Sequence, residues 1–404
     1  MMLKMNEGYL LYKKASLFTY AASIAATWIW APAIFVSSSN AYYLGLWGFL
    51  FFWVPNVLTL VLFGYIADMV RKRKEGMTIT DAIDKSSDRQ KKLHLAVSVT
   101  LLCCSSAVQM LGLYTLFSSY FYVSKMWTAI LVSLVALVTV INGGVKYSII
   151  TDAWKWGVMV VTSLCLFYSS PSESLDNFSM NGYLGTDVFT ILLGFGIPTI
   201  IGLLSAPYAD QTFWQRVYSI HSWKVKKTFF LAAVLFGLVP LVFGMIGLFQ
   251  PKDNPSWTLG LLFHDGAPMF LLLFCVVAAL LSTLDSNLCA IASITVHDLK
   301  TGFFGGALSM AFMLAFGVIF ITTVDVTITE LFLGYGTLRT CIAVPSLLII
   351  FGKYNEKRLF WATLVAVLIS VTGYIMAPPL WRFVFVVLAL LLPLLGYQKC
   401  PKAK

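Results

Sequence analysis

The chain has 404 residues, of which 59% are hydrophobic and only 11% charged, with a formal net charge of +10. That composition excludes an ordinary soluble domain, and apolar runs of about 20 residues, enough to cross a bilayer, recur from end to end. The basic excess falls in short segments between the apolar runs, on one side of the membrane, as a topological signal, which argues against a nucleic-acid role.

Twelve segments read as spans of an all-α polytopic membrane protein. They lie at roughly 16–38, 42–70, 92–122, 126–142, 147–168, 187–205, 226–249, 267–297, 303–323, 327–351, 359–377 and 380–397. Ahead of them, Met1-Met2-Leu3-Lys4 is too polar for a secretory signal, so the first span does the targeting. With residues 1–15 in the cytoplasm, all 28 Lys and Arg fall on the cytoplasmic side except Lys125, Lys252, Arg382 and the intramembrane Arg339. The positive-inside rule then places both termini in the cytoplasm and the chain, multi-pass, in the cytoplasmic (inner) membrane.

The first span is interrupted in AASIAATWIWAP by small residues, Trp28, Trp30 and Pro32. Five spans later GFGIP interrupts the sixth, with Gly194, Gly196 and Pro198. Spans 3 and 8 are the longest, again five apart. Paired interruptions at matching places predict a 5+5 inverted-repeat core over 16–351, with repeats at about 16–168 and 187–351. Two accessory helices and a cytoplasmic tail follow in 352–404. Unwound backbone inside a membrane needs partners, and a bound ion or substrate supplies them.

The eighth span, CVVAALLSTLDSNLCAIASITVHD from Cys275 to Asp298, turns polar midway. Ala279, Ser282, Ser286, Cys289 and Ser293 recur every three or four residues and form one face of small and hydroxylic side chains. Such a face is either a close packing seam or a site for a monovalent cation built from neutral hydroxyls and carbonyls. Ser282 and Thr283 point roughly 100° apart, so both reach one ion only if it sits between their directions.

Four stretches resemble the sodium/solute symporter family, which includes sodium/proline and sodium/galactose symporters. They are LSTLDSNLCAIASITVHDL; GGVKYSIITDAWKWGVM, with Gly143, Gly144, Thr151 and Asp152; ADQTFWQRVYSI, with Gln211, Gln215 and Arg216; and AVQMLGLYTLF, with Gln109. They occur in the family's order over about residues 16–350. The resemblance implies a LeuT-type fold and a sodium site from the hydroxyls of Ser282 and Thr283 and the carbonyls of Ala279, Ala26 and Ile29. The chain departs at Trp28, where the family often has Asn or Asp; backbone ligation survives that change. The tryptophan-rich break is similar to the urea and polyamine-type branch, and Leu203 and Ala206 replace the polar residues of sugar transporters. Many members carry a further span before the core, whereas this chain begins almost directly at it.

Arg339 is read as the one cation inside a span. It is either structural, paired with Glu330 or Asp285, or an anchor for a carboxylate substrate. Trp28, Trp30 and Gln109 are the other substrate-pocket candidates, with Tyr208 a possible further aromatic wall, and Asp285 has an ion-exit or structural role. Trp127, Trp257, Trp361 and Trp381 read as interface anchors. The four histidines fall at span ends or loops, and the seven cysteines lack metal or redox spacing, so sodium is the one metal expected. No phosphate loop is present, and the acidic SESLDN loop reads as a solvated outer surface.

The expected function is a sodium-coupled symporter importing a small organic solute by alternating access. It needs no cofactor, with Na+ as coupling ion and the lipid bilayer as its setting. The alternative is a non-transporting solute sensor of the same fold, which would want an output domain where the chain has PKAK. An intramembrane enzyme would want a nucleophile with a matched base, and the spans offer none.

Overall fold

The structure, a computed structural model, describes residues 7–170 and 177–398. Lys4, the SESLDN loop up to Asp176 and the tail lysines lie outside the described residues. Among the described residues the fold is all-helical, without a named strand. We label α1 (Leu17–Trp28), α2 (Ala31–Arg73), α3 (Asp88–Phe117), α4 (Lys125–Ser169), α5 (Ile197–Ala209), α6 (Gln211–Ser219), α7 (Val225–Phe249), α8 (Gly266–Ser293), α9 (Gly302–Thr323), α10 (Ile328–Ile350), α11 (Glu356–Met376) and α12 (Arg382–Leu391). Nine helices of the described residues are long and apolar enough to cross a membrane.

Two of these are too long for one crossing. Residues 31–73 and 125–169 number 43 and 45, and straight helices of that length would run about 65 Å against a hydrocarbon core of about 30 Å. Each turns at a glycine with positive φ, Gly45 at 67° and Gly144 at 54°. A Cβ on Gly144 would lie 2.5 Å from the Tyr9 carbonyl oxygen, so the turn demands glycine for both its conformation and its space. The turns fall close to the predicted boundaries at 42 and 142–147.

The outer surface is apolar. Leu131, Val138, Phe230, Phe274, Phe312 and Ile319 are all exposed, a belt that only lipid tolerates. Inside, α7 packs on α2, α8 on α4, and α10 on α5, with α1 held between α7 and α4. Lipid is as apolar as these side chains, so close approach and polar contacts hold the helices together. Gly202 of α5 meets Gly336 of α10, where an added Cβ would sit 3.2 Å from backbone.

The first predicted interruption is where the chain places it. α1 ends at Trp28, Ile29 leaves helical geometry (ψ 80°), and Trp30 is extended (ψ 179°) before α2 begins at Ala31. The second is displaced. Gly194 and Gly196 lie in a π-helical turn, Leu192–Gly196, which runs without a break into α5. Pro198 therefore stands inside one continuous helix over 188–209, just after the π turn, whose wider i→i−5 bonding eases the loss of a proline N–H. The break comes at Asp210 (ψ 111°), which caps α6 by accepting from the Thr212 N–H at 2.9 Å.

Candidate ion and substrate site

The break after α1 releases a run of carbonyls. The last helical bond runs from the Ile29 N–H to Ala25. Ala26 would need the amide of Trp30, which is extended, and Thr27 that of Ala31, which donates instead to Gln109 Oε1 at 2.9 Å. Trp28 would need Pro32, which has no N–H, and Ile29 would need Ala33, which donates to Trp30 O. Four successive carbonyls are thus free of the helix ladder within a buried core.

The polar face of α8 meets them. Thr283 Oγ1 lies 3.1 Å from Thr27 O and 3.3 Å from Ala279 O. Thr27 Oγ1 is 2.9 Å from Ser286 Oγ. Ser282 faces the other way and donates to Asp152 Oδ1 of α4 at 2.8 Å. Asp152 Oδ2 accepts from Ser23 at 3.0 Å and from Arg216 Nη2 at 3.2 Å. Arg216 also reaches Ser148 and Ser286, at 3.0 and 2.7 Å. Beside this cluster Lys155 donates to Asp285 Oδ2 at 2.5 Å and stands 3.8 Å from Asp152 Oδ1, while Thr139 donates to Asp285 Oδ1. Two buried carboxylates therefore face two cations, and the formal charges cancel.

These positions correct several expectations. Ser282 and Thr283 do diverge, one toward Asp152 and the other toward the break, so an ion touching both sits between α1, α4 and α8. The direct contact from α8 to the break runs through Thr27, between the expected Ala26 and Ile29. Arg339 is not the one cation inside the bundle: Arg216 is buried and Lys155 partly buried, each paired with a carboxylate of the core. Asp285 pairs with Lys155, not with Arg339, and Glu330 is engaged in the capping box of α10 with Thr327. Gln109 is no free pocket wall, since its amide caps α2 and donates to Ser105 O at 2.9 Å.

Arg339 lies midway along α10 between the two breaks. Its guanidinium carbon is 3.7 Å from the Tyr335 ring centroid, 5.3 Å from that of Trp30 and 5.5 Å from that of Trp28. The nearest acid is Asp210, with Oδ2 3.9 Å from Nη2. Trp28 and Trp30 stack at 6.2 Å, with Phe213 against one and Phe332 against the other.

On one face of the bundle, the α2–α3 loop ties α6 and α8 together. Gln211 accepts from the Ile79 N–H at 2.7 Å and donates to Met77 O and Ser293 Oγ. Thr78 and Thr80 reach Asp298, and Asp81 faces His297 at 3.2 Å. This is the face that carries Arg71 to Lys74.

No family model matches the chain, and no curated protein matches it significantly. Solved structures do. A Na+-coupled sialic acid symporter in a substrate-bound, outward-open state aligns with a TM-score of 0.73 at 14% identity, over 95% of this chain and 89% of that one. Mhp1, a nucleobase-cation-symport-1 family transporter closed around bromovinylhydantoin, aligns at 0.64 and 14% identity, over 96% and 94%. A manganese transporter from Eremococcus coleocola aligns at 0.59 and 13% identity, over 97% of each chain. Shared over nearly full length at such low identity, what these likenesses establish is architecture: the chain has the LeuT-type transporter fold.

Proposed function

We propose that this protein is a sodium-coupled secondary transporter of the sodium/solute symporter type, importing a small organic solute by alternating access. Its core is the 5+5 inverted repeat over 16–351, traversing the inner membrane with cytoplasmic termini. The observation that carries the reading is the meeting of the carbonyls freed at the end of α1 with the Thr283 hydroxyl, with the Ser282 hydroxyl beside it on Asp152. Neutral oxygens from a broken helix suit a sodium ion that must leave again on each cycle. Ala26, Thr27, Ile29, Ala279, Ser282 and Thr283 are the ligand set, with Asp152 one hydroxyl away. The full-length likeness to a Na+-coupled and a cation symporter supports the same class.

In this mechanism sodium bridges α1 and α8 and so steadies the break beside Trp28 and Trp30. The solute binds between the two breaks. Release toward the basic face requires the α2–α3 loop to let go of α6 and α8. Purified protein in proteoliposomes tests the proposal with solute uptake under imposed Na+ and K+ gradients. Thr283→Ala and Ser282→Ala are expected to raise the half-saturating sodium concentration about tenfold while leaving the fold intact. Sodium dependence unchanged in both variants would remove the ion site, and solute binding without accumulation would point to a sensor.

A further inference from the structure

Building on that transporter reading, we propose that the solute is a carboxylate, received by Arg339 and the indole N–H groups of Trp28 and Trp30. Arg339 is 1% exposed at the centre of the bundle. Tyr335, Trp30 and Trp28 attract its guanidinium as a cation above their rings. Cation–π contacts engage the charge, but the N–H groups lie in the guanidinium plane and need acceptors along its edge. Among the described residues Nε and Nη1 have none, and neither do Trp28 Nε1 and Trp30 Nε1.

The contrast with Arg216 shows that this is a property of the place. Arg216 is equally buried and leaves only Nε without an acceptor, while both its Nη groups are engaged, with Asp152, Ser148, Ser286 and Gln215. The one acid near Arg339, Asp210, is outside hydrogen-bond distance, and its Oδ1 already accepts from both the amide and the hydroxyl of Thr212. The unpartnered groups around Arg339 are all donors. A carboxylate brings two oxygens with about four lone pairs and matches arginine in a bidentate fork. A sugar or an amide would bring donors of its own, and an organic cation would meet like charge. Phe332, against Trp30, offers an apolar wall to the rest of such a solute.

The test uses the purified full chain in detergent, with melting temperature and equilibrium binding as readouts in sodium and in potassium. Probes are pyruvate, benzoate and L-proline, each against its amide (pyruvamide, benzamide, prolinamide), with choline as the cationic arm. At least one carboxylate is expected to raise the melting temperature while its amide does not. Arg339→Gln should then lose tenfold or more in affinity for that probe, and Arg339→Lys less. Trp30→Phe keeps an aromatic face, loses the donor and should weaken binding about tenfold. It decides the matter, with the amide comparison, should Arg339→Gln fail to fold. The inference is overturned if no carboxylate stabilises, if amides or choline do as well, or if a folded Arg339→Gln binds like wild type. Sodium alone is scored separately. Carboxylate binding without any sodium effect would sink sodium coupling and leave this inference standing. Sodium stabilisation with no carboxylate effect would do the reverse.

Discussion

Replacing Asp152 with Asn perturbs the centre of the ion-pair network while keeping its shape. The carboxylate accepts from Ser282 at 2.8 Å, Ser23 at 3.0 Å, Arg216 at 3.2 Å and Ser148 at 3.3 Å. Asp152 and Arg216 are 0% and 1% exposed, so solvent cannot take over the stranded guanidinium. Breaking one side of such a buried pair costs about 3–5 kcal/mol, whereas removing both charges is often close to neutral. Asp152→Asn should therefore be strongly destabilising, and adding Arg216→Gln should recover about half of the loss or more, leaving a coupling energy of at least about 2 kcal/mol. The assay is denaturant unfolding of the purified protein followed by tryptophan fluorescence, on wild type, both single variants and the double. Additive losses would refute the reasoning, because they would mean that the two side chains do not depend on each other.

Three smaller changes probe the frame around the site. Gly144→Ala, at φ 54° and with its Cβ 2.5 Å from the Tyr9 carbonyl, should cost more than about 1 kcal/mol in the same unfolding assay. Gln109→Ala strands the buried Ala31 N–H and should cost about 1–3 kcal/mol, with faster hydrogen exchange at the start of α2. In the loop, burial raises the Asp81 carboxyl, but hydrogen bonds from His297, Met77 N–H and Thr78 N–H outweigh it and bring the value down to about 2. The folded value lies below the unfolded one, so this stabilisation is complete above about pH 4 and is lost as pH falls through about 2. After solvent screening it is worth about 1 kcal/mol, and Asp81→Asn should remove that fraction of the acid-induced fall in melting temperature.

Much of this frame was legible in the sequence. Length and apolarity mark the spans, Pro32 marks the interruption that falls at Ile29 and Trp30, and helical spacing sets Ser282 and Ser286 on one face. What was not legible has physical causes. A proline at a break and a proline carried within a helix by a π turn look alike, and only the π turn at Leu192–Gly196 shows that Pro198 is the latter. Thr27, Asp152 and Arg216 meet across the bundle, and no local periodicity carries a contact between residues so far apart. Lys155 does carry a local signal: it stands three residues after Asp152, on the same helix face, in a segment too apolar for a free cation. An intramembrane Asp285 wanted a cation, and Lys155 was the one already facing inward.

The charges of the core also set a scale for coupling. Asp152, Asp285 and Asp210 balance Lys155, Arg216 and Arg339, so these six groups are together formally neutral. A sodium ion at the break adds one positive charge, and a carboxylate at Arg339 adds one negative. Thr27 adjoins Trp28, whose ring lies 5.5 Å from the Arg339 guanidinium, so ion and carboxylate would sit on the order of 10 Å apart. At an effective dielectric constant of about 20, unit charges at that separation attract by about 1.7 kcal/mol, slightly more than a tenfold change in affinity. Linkage requires the effect to be mutual. Sodium should tighten carboxylate binding by about tenfold, and the carboxylate should tighten sodium binding by the same factor. Titration calorimetry of each ligand in the presence and absence of the other measures both factors. If both are close to one, the ion and the solute do not share this core, and the charge balance that links them here is wrong.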